Sequence, residues 1–269
     1  MESQYGIIKA QPGPKYLPET DILHVNHKGK TLVTRSPAFR AGNGTYLDNL
    51  AAMQQPFYHS SEQPVMHFQP ATTSESVSIA SHDFAGLAKP QILDPSWLQL
   101  GWYVLAPELI FMNPPKDGRG NPITDEKALK AFLNKCTKVH GIYLGNNDFS
   151  AAPRESFRQG IQESREFAES GLARALEHVD GNSAPLLEKI SSKGHYPRDV
   201  DVCGYDEVTE PILRVASLYQ FHPGLRVASL YSLRSLGGRL FIVGYGQGDN
   251  RGGCAFGVSQ TGEASRAQG

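Results

Sequence analysis

The 269-residue chain predicts an α+β protein, because helical and strand-like patterns segregate along it instead of alternating. Two helix patterns occupy the middle, at 124–138 and 153–179. Strand-like alternation and turn signals crowd the first third and the last quarter. The last quarter also carries an identical heptad twice, LRVASLY at 213–219 and 225–231, followed by a glycine-studded run from Gly237 to Ser259.

In chain order, ILHVNHKGKTLVTRS (22–36) predicts a hairpin with its turn at Asn26–Gly29. ESVSIASHDFAGL (75–87) adds a short alternating stretch, so residues 1–94 are expected to form a β- and loop-rich accessory or oligomerisation region. LDPSWLQLGWYVLAPELIFMN carries both tryptophans and should enter a core. NPPKDGRGNP (113–122) has the composition of an exposed loop. Thr124 is placed to cap a helix through TDEKALKAFLNKCTK, with acids in its first turn and lysines in its last. HGIYLGN (140–146) predicts a strand. Pro153 suits the first position of a second helix reaching Val179, whose apolar stripe would be Phe157, Ile161, Ala168, Leu172, Ala175 and Val179. Gly160 and Gly171 weaken that helix or allow close packing. From HYPRDVDVCGYDEV to Ser259 short strands separated by PG, GG and GDNRGG turns predict an antiparallel meander, with 261–269 as a flexible tail.

Composition narrows the function. Lys plus Arg (26) nearly balances Asp plus Glu (27), giving a net charge of −1 with no basic stripe, which argues against a dedicated nucleic-acid binder. Apolar runs are too short for a membrane span, and no secretory signal is visible, so the chain is expected to be made in the cytoplasm, free of membrane insertion and compatible with a place on a virion or cell surface. Cys136, Cys203 and Cys254 are odd in number and widely spaced, which predicts reduced thiols and no CxxC motif.

Several motifs suggest chemistry that their context does not support. GYGQGDNRGG holds a G-x-G-x-G string, but the strand-like CAFGVSQ follows it where a phosphate loop needs a helix. His24 and His27 would diverge on a strand and read as a surface turn. Asp199 and Asp201, near Asp206 and Glu207, could share a strand face and hold a hard cation, yet solvated carboxylates are the simpler expectation. His140, His178 and His195 are spread over helix ends and loops, and no Ser/His/Asp constellation stands out. No cofactor, no metal and no catalytic residue is expected.

The run after Arg239 is different. Leu240, Ile242, Gly244, Gly246 and Gly248 are apolar or small, whereas Phe241, Val243, Tyr245, Gln247 and Asp249 share no chemical class. In a strand the odd set projects from one face. A buried face would be uniformly apolar and a solvent face mostly polar, and this one is neither.

With RVASLY, GGRLxIxGxGxGDNRGGCAFGVS and a near-terminal AFG strand, the segment resembles the variable region of diversity-generating retroelement proteins, which have a C-type lectin fold. The resemblance implies a C-type lectin-like domain over 95–260 with two helices before its β-rich half and a variable region at about 225–260. It implies adenine-directed variation and ligand contact at Ser232, Arg234, Ser235, Phe241, Val243, Tyr245, Gln247 and Asp249. The matching scaffold is Gly238, Leu240, Ile242, Gly244, Asn250, Arg251, Gly252, Gly253, Phe256 and Gly257. Calcium-dependent sugar binding is not implied, since Glu-Pro-Asn, Gln-Pro-Asp and Trp-Asn-Asp triplets are absent. The related formylglycine-generating enzymes use a cysteine pair where only Cys254 stands here. The expected function is therefore recognition of a protein or other macromolecule, strengthened by multivalency if the chain is a homo-oligomer. An enzyme or a purely structural virion protein are the alternatives.

Overall fold

The computed structural model of the chain describes residues 21–57, 66–82, 97–192, 199–203, 205, 225–232, 240–246 and 252–259. These form a mixed α+β structure of two sheets with helices between and beside them. Strands β1 (Asp21–His27) and β2 (Lys30–Ser36) make the expected hairpin, with Lys28 (φ 51°) and Gly29 (φ 78°) as its two left-handed turn residues. The Asn26 side chain accepts from Gly29 N–H at 3.1 Å and fixes the turn.

Helix α1 (Tyr46–Met53) follows, then β3 (Phe68–Pro70) and α2 (Thr73–His82). Helix α2 corrects the alternating stretch expected from 75 onward. Its start is a capping box: Thr72 Oγ1 accepts from Glu75 N–H, while Glu75 Oε2 accepts from Thr72 N–H at 2.7 Å. The serines that imitate alternation are spent on tertiary bonds, such as Ser76 Oγ to the Leu100 carbonyl at 2.8 Å.

The long strand β4 (Trp97–Leu105) leads into β5 (Leu109–Met112). Helix α3 (Glu126–Leu133) is capped by Asp125, whose carboxylate accepts from Ala128 N–H at 2.7 Å; the expected cap at Thr124 lies one residue too early. The helix also ends sooner than expected, because Thr137–Val139 becomes β6 and pairs with β7 (Ile142–Leu144).

The single helix expected over 153–179 does not form. Pro153 closes β8 (Ser150–Pro153), a 3₁₀ turn follows, and Gly160–Glu163 is strand β9. Gly160 at φ 86° lies outside helical geometry. Ser170 then divides the helical remainder into α4 (Ser164–Glu169) and α5 (Gly171–Glu177), its hydroxyl accepting from Ala173 N–H. Of the expected stripe, Ala168, Leu172 and Ala175 are buried and Phe157 and Val179 pack at the core's edge, but Ile161 on β9 is 52% exposed. A Cβ on Gly171 would overlap Ser156, so that glycine does permit close packing.

Helix α6 (Pro185–Ser191), β10 (Asp199–Cys203), β11 (Leu225–Ser232), β12 (Leu240–Gly246), β13 (Gly253–Ala255) and β14 (Gly257–Ser259) complete the described elements. The large sheet runs β6-β7-β8-β5-β4-β11-β12-β10-β9, with β13 also on β4, and the small one runs β1-β2-β14-β3. The C-terminal strands are not a plain antiparallel meander. β11 pairs antiparallel with β12 and β4, but β10 pairs parallel with β12, and β13 parallel with β4. The second LRVASLY copy is β11; the first lies outside the described residues, as does 261–269.

The main core joins Val25, Val77 and Ile79 to Leu100, Leu172, Val202, Ile242 and Phe256. Residues on both sides of position 95 thus share one core, and β14 seats between β2 and β3. An aromatic cluster of Phe39, Tyr46, Phe57 and Phe68 adjoins Ala255, with the Arg35 guanidinium 4.3 Å from the Phe39 ring centre. Under the C-terminal segment, buried Asn49 donates to Gln99 Oε1 at 2.8 Å and to the Gly253 carbonyl at 3.2 Å, and Gln99 donates to the Gly44 carbonyl. Replacing Gln99 by Leu leaves one buried Asn49 amide N–H without its acceptor and removes one of the two donors to the Gly44 carbonyl, which keeps Gly253 N–H. It should cost about 2–3 kcal/mol in chemical denaturation, read as a lower midpoint at unchanged slope.

Candidate functional site

The two sets expected after Arg239 do separate in β12. Leu240 and Ile242 enter the main core with Val200 and Val202 of β10. Alternation puts Phe241 and Val243 on the other face, in register with Tyr231 and Ser229 of β11 and with Asp201 and Cys203 of β10. Display of these two side chains is corrected, however: Phe241 is 7% and Val243 2% exposed. A strand with hydrogen-bonded neighbours on both sides and apolar side chains on both faces is covered on both faces. Ser232 and Tyr245 lie within β11 and β12, while Arg234, Ser235, Gln247 and Asp249 lie outside the described residues.

The residues matched as scaffold are closely packed or hydrogen-bonded where they are described. A Cβ on Gly253 would overlap the Gln99 amide, and Gly252 (φ 81°) donates its N–H to the Asn43 carbonyl. A Cβ on Gly257 would sit 3.0 Å from Phe68 Cβ and 3.1 Å from Phe39 Cε2. Phe256 is a core residue, and the Gly244 carbonyl accepts from the buried Tyr103 hydroxyl. Gly238, Asn250 and Arg251 lie outside the described residues.

The densest polar site is elsewhere, around Asp148, and sequence reasoning missed it. Asp148 Oδ1 accepts from Lys28 Nζ at 2.7 Å, and Oδ2 from Thr72 Oγ1 at 2.7 Å, with His27 Nε2 at 3.5 Å. His27 Nδ1 meets Ser78 Oγ at 2.8 Å. Lys28 Nζ also lies 2.7 Å from His178 Nδ1, and His178 Nε2 is 3.0 Å from the Gly145 carbonyl. Asn113 Nδ2 donates to the Asp148 carbonyl at 2.9 Å, and Asn113 Oδ1 accepts from Thr73 N–H at 3.0 Å. Four distant segments therefore meet on one carboxylate: the β1–β2 turn, the start of α2, the 145–149 turn and the end of α5.

Backbone conformation converges there too. Six described non-glycine residues have positive φ, and five of them, Lys28, Asn113, Asn147, Asp148 and His178, belong to this cluster. His27 is buried, so the surface-turn expectation for it is corrected; His24 is exposed on the opposite face, so the pair does diverge. Ser78, His27 and Asp148 do come together, contrary to expectation. The arrangement lacks an accessible nucleophile, because Ser78 is only 6% exposed on the core side of α2.

Burial pushes the Asp148 carboxyl up, but bonds from His27, Lys28 and Thr72 and the Lys28 charge outweigh it and hold it well below the carboxylate range. Burial and the neighbouring Lys28 charge lower His178, against the Gly145 carbonyl and Asp148. Adjacent Glu177 is raised to about 7 by burial, although it accepts from Leu186 and Leu187 N–H at 3.0 Å and so caps α6.

Asp199 and Asp201 share the β10 face opposite its core side and are half-buried. Among the described residues no group of three or more His, Cys, Asp or Glu side chains is arranged to hold a metal ion. No disulfide joins the three cysteines; burial pushes the fully covered Cys254 thiol up to about 12, which leaves it unreactive. The string GYGQGDNRGG is followed by strand β13, not a helix. No helix among the described residues is long and apolar enough to cross a membrane. No family model, curated protein or solved structure matches the chain.

Asp148→Asn should lower stability by about 2–4 kcal/mol at neutral pH, since the Lys28 charge loses its counter-ion. Because the Asp148 pKa is depressed in the fold, that difference should be full above about pH 4 and shrink as pH falls below it. Glu177 has the opposite sign: a raised folded pKa stabilises below the unfolded value and the benefit is lost as pH rises through about 7. Glu177→Gln should therefore gain a few degrees in Tm over the parent at about pH 8 and much less at about pH 5.

Proposed function

We propose that the chain is a ligand-binding protein of the diversity-generating retroelement variable type, its α+β fold a C-type lectin-like one. The observation that carries this is the division of β12: Leu240 and Ile242 are tied into the core, while Gly253 of β13 has no room for a side chain and Gly257 of β14 has little. Such a frame confines sequence change to the turns and strand ends around it. With Phe241 and Val243 covered, the proposed contact residues are Ser232, Arg234, Ser235, Tyr245, Gln247 and Asp249. Their mixture of an aromatic ring, hydroxyls, an amide and both charges resembles an antibody combining site, in which rigid aromatics supply area and small polar groups supply adaptable hydrogen bonds. The partner is a protein or other macromolecule on a cell or particle surface, engaged through several copies where single contacts are weak.

The alternative of a formylglycine-generating-type enzyme loses its reactive thiol, since Cys254 is sealed in the core.

Two measurements test the proposal. DNA flanking the gene should hold a near-copy of the codons for 213–259 that differs at template adenines, beside a reverse transcriptase; finding neither would overturn the retroelement origin. Randomising 234, 235, 247 and 249 together should move Tm by less than about 5 °C, whereas Ile242→Ala should cost about 2–4 kcal/mol. Equal damage from both would remove the distinction between frame and face.

A further inference from the structure

The Asp148 cluster has a feature that a static tie does not need, a lysine ammonium hydrogen-bonded to a histidine. His178 Nε2 faces the Gly145 carbonyl at 3.0 Å, so the ring hydrogen belongs there. That leaves Nδ1 as the acceptor for Lys28 Nζ at 2.7 Å. Both ring nitrogens are committed in the neutral form. A second ring proton would have to sit on Nδ1, aimed at an ammonium.

We infer that the Lys28–His178 contact is an acid-sensitive latch, in which protonation of His178 releases the β1–β2 hairpin tip from the end of α5.

The surrounding charges decide the direction. Lys28 and a protonated His178 would compete for one oxygen, Asp148 Oδ1, which lies 2.7 Å from Lys28 Nζ and 3.7 Å from His178 Nδ1. Asp148 Oδ2 is already held by Thr72, with His27 alongside. Glu177, on the same helix as His178, directs its carboxylate to the Leu186 and Leu187 N–H groups. Glu75 on α2 is committed to Thr72 N–H. His27 works the other way, since its protonation strengthens attraction to Asp148. Lys28 is the member able to leave, because it is 37% exposed at the side chain while Asp148 and His178 are at 15% and 16%. Lys28 (φ 51°) holds its left-handed conformation as a hairpin-turn residue and His178 (φ 54°) as the C-cap of α5, so neither backbone conformation needs the contact between them and opening leaves both turns in place. The tip leads into β2, and β2 pairs with β14 at Thr34 and Val258, which carries the loosening towards the C-terminal strands.

Hydrogen exchange on the full chain tests this. Protection of the Gly29 and Lys30 amides, corrected for intrinsic rate, should fall at least about tenfold between about pH 7.5 and about pH 5. His178→Asn accepts left-handed backbone and can accept from Lys28 at the position of Nδ1, but cannot gain a proton. In that variant the fall should be less than about twofold. Unchanged protection in the parent, or an equal fall in His178→Asn, overturns the latch. Imidazole nitrogen shifts of the parent give a second arm that needs no variant. Amide protection should follow the His178 titration midpoint, and following that of His27 instead would equally overturn it.

Discussion

The Asp148 carboxylate is the interaction on which much of the described arrangement depends. Its two oxygens and its backbone carbonyl receive bonds from residues up to 120 positions away. None of the four segments it joins is a long regular element with packing enough to fix its own end. The carboxylate ties them through side chains, the Lys28 ammonium of the hairpin turn and the Thr72 hydroxyl at the α2 start, with His27 beside them. Left-handed backbone gathers at the same place, at the hairpin turn (Lys28), the 145–149 turn (Asn147, Asp148) and the α5 C-cap (His178).

Around that tie the architecture separates two tasks. The main core is built from α2, α5, α6 and the inner faces of β4, β10 and β12, and it joins early and late parts of the chain. A second set of buried amides and glycines, Asn49, Gln99, Gly44 and Gly253, locks the C-terminal segment to the loop before α1. The segment between β11 and β13 is thus bounded at both ends by rigid contacts. That is the mechanical requirement for a surface whose side chains change without the frame changing.

What was legible in the sequence was local. Asn-His-Lys-Gly between alternating runs specifies the hairpin, because only left-handed turn residues match the strand twist. The amphipathic pattern and first-turn acids specify α3. Helix α2 was also legible, in Thr72-x-x-Glu75, but alternating serines obscured it. The stripe from Phe157 to Val179 imitated one helix because a strand, a cap and two short helices can share its spacing; Gly160 and Ser170 were the signs of interruption. The parallel pairing of β10 with β12, and the meeting of His27, Lys28, Thr72, Asp148 and His178, left no local trace. Both depend on contacts whose partners are set by the whole fold. Over Leu240–Val243 the odd-even split matches the strand's two faces but is wrong about exposure for Phe241 and Val243, since one chain's pattern does not reveal what covers a face.

The position of β13 and β14 has a consequence for synthesis. β14 supplies the strand that joins β2 to β3, and β13 lies along β4, so neither sheet reaches its described form until residues 253–259 have left the ribosome. The sequence between β11 and β13 is translated before those closing strands. A stop codon or frameshift there yields a chain with β2, β3 and β4 each lacking a neighbour, exposed to the proteases and chaperones that clear open sheet edges. Under the proposed diversification, the fold would therefore proofread its own reading frame: only variants translated through to the end could close.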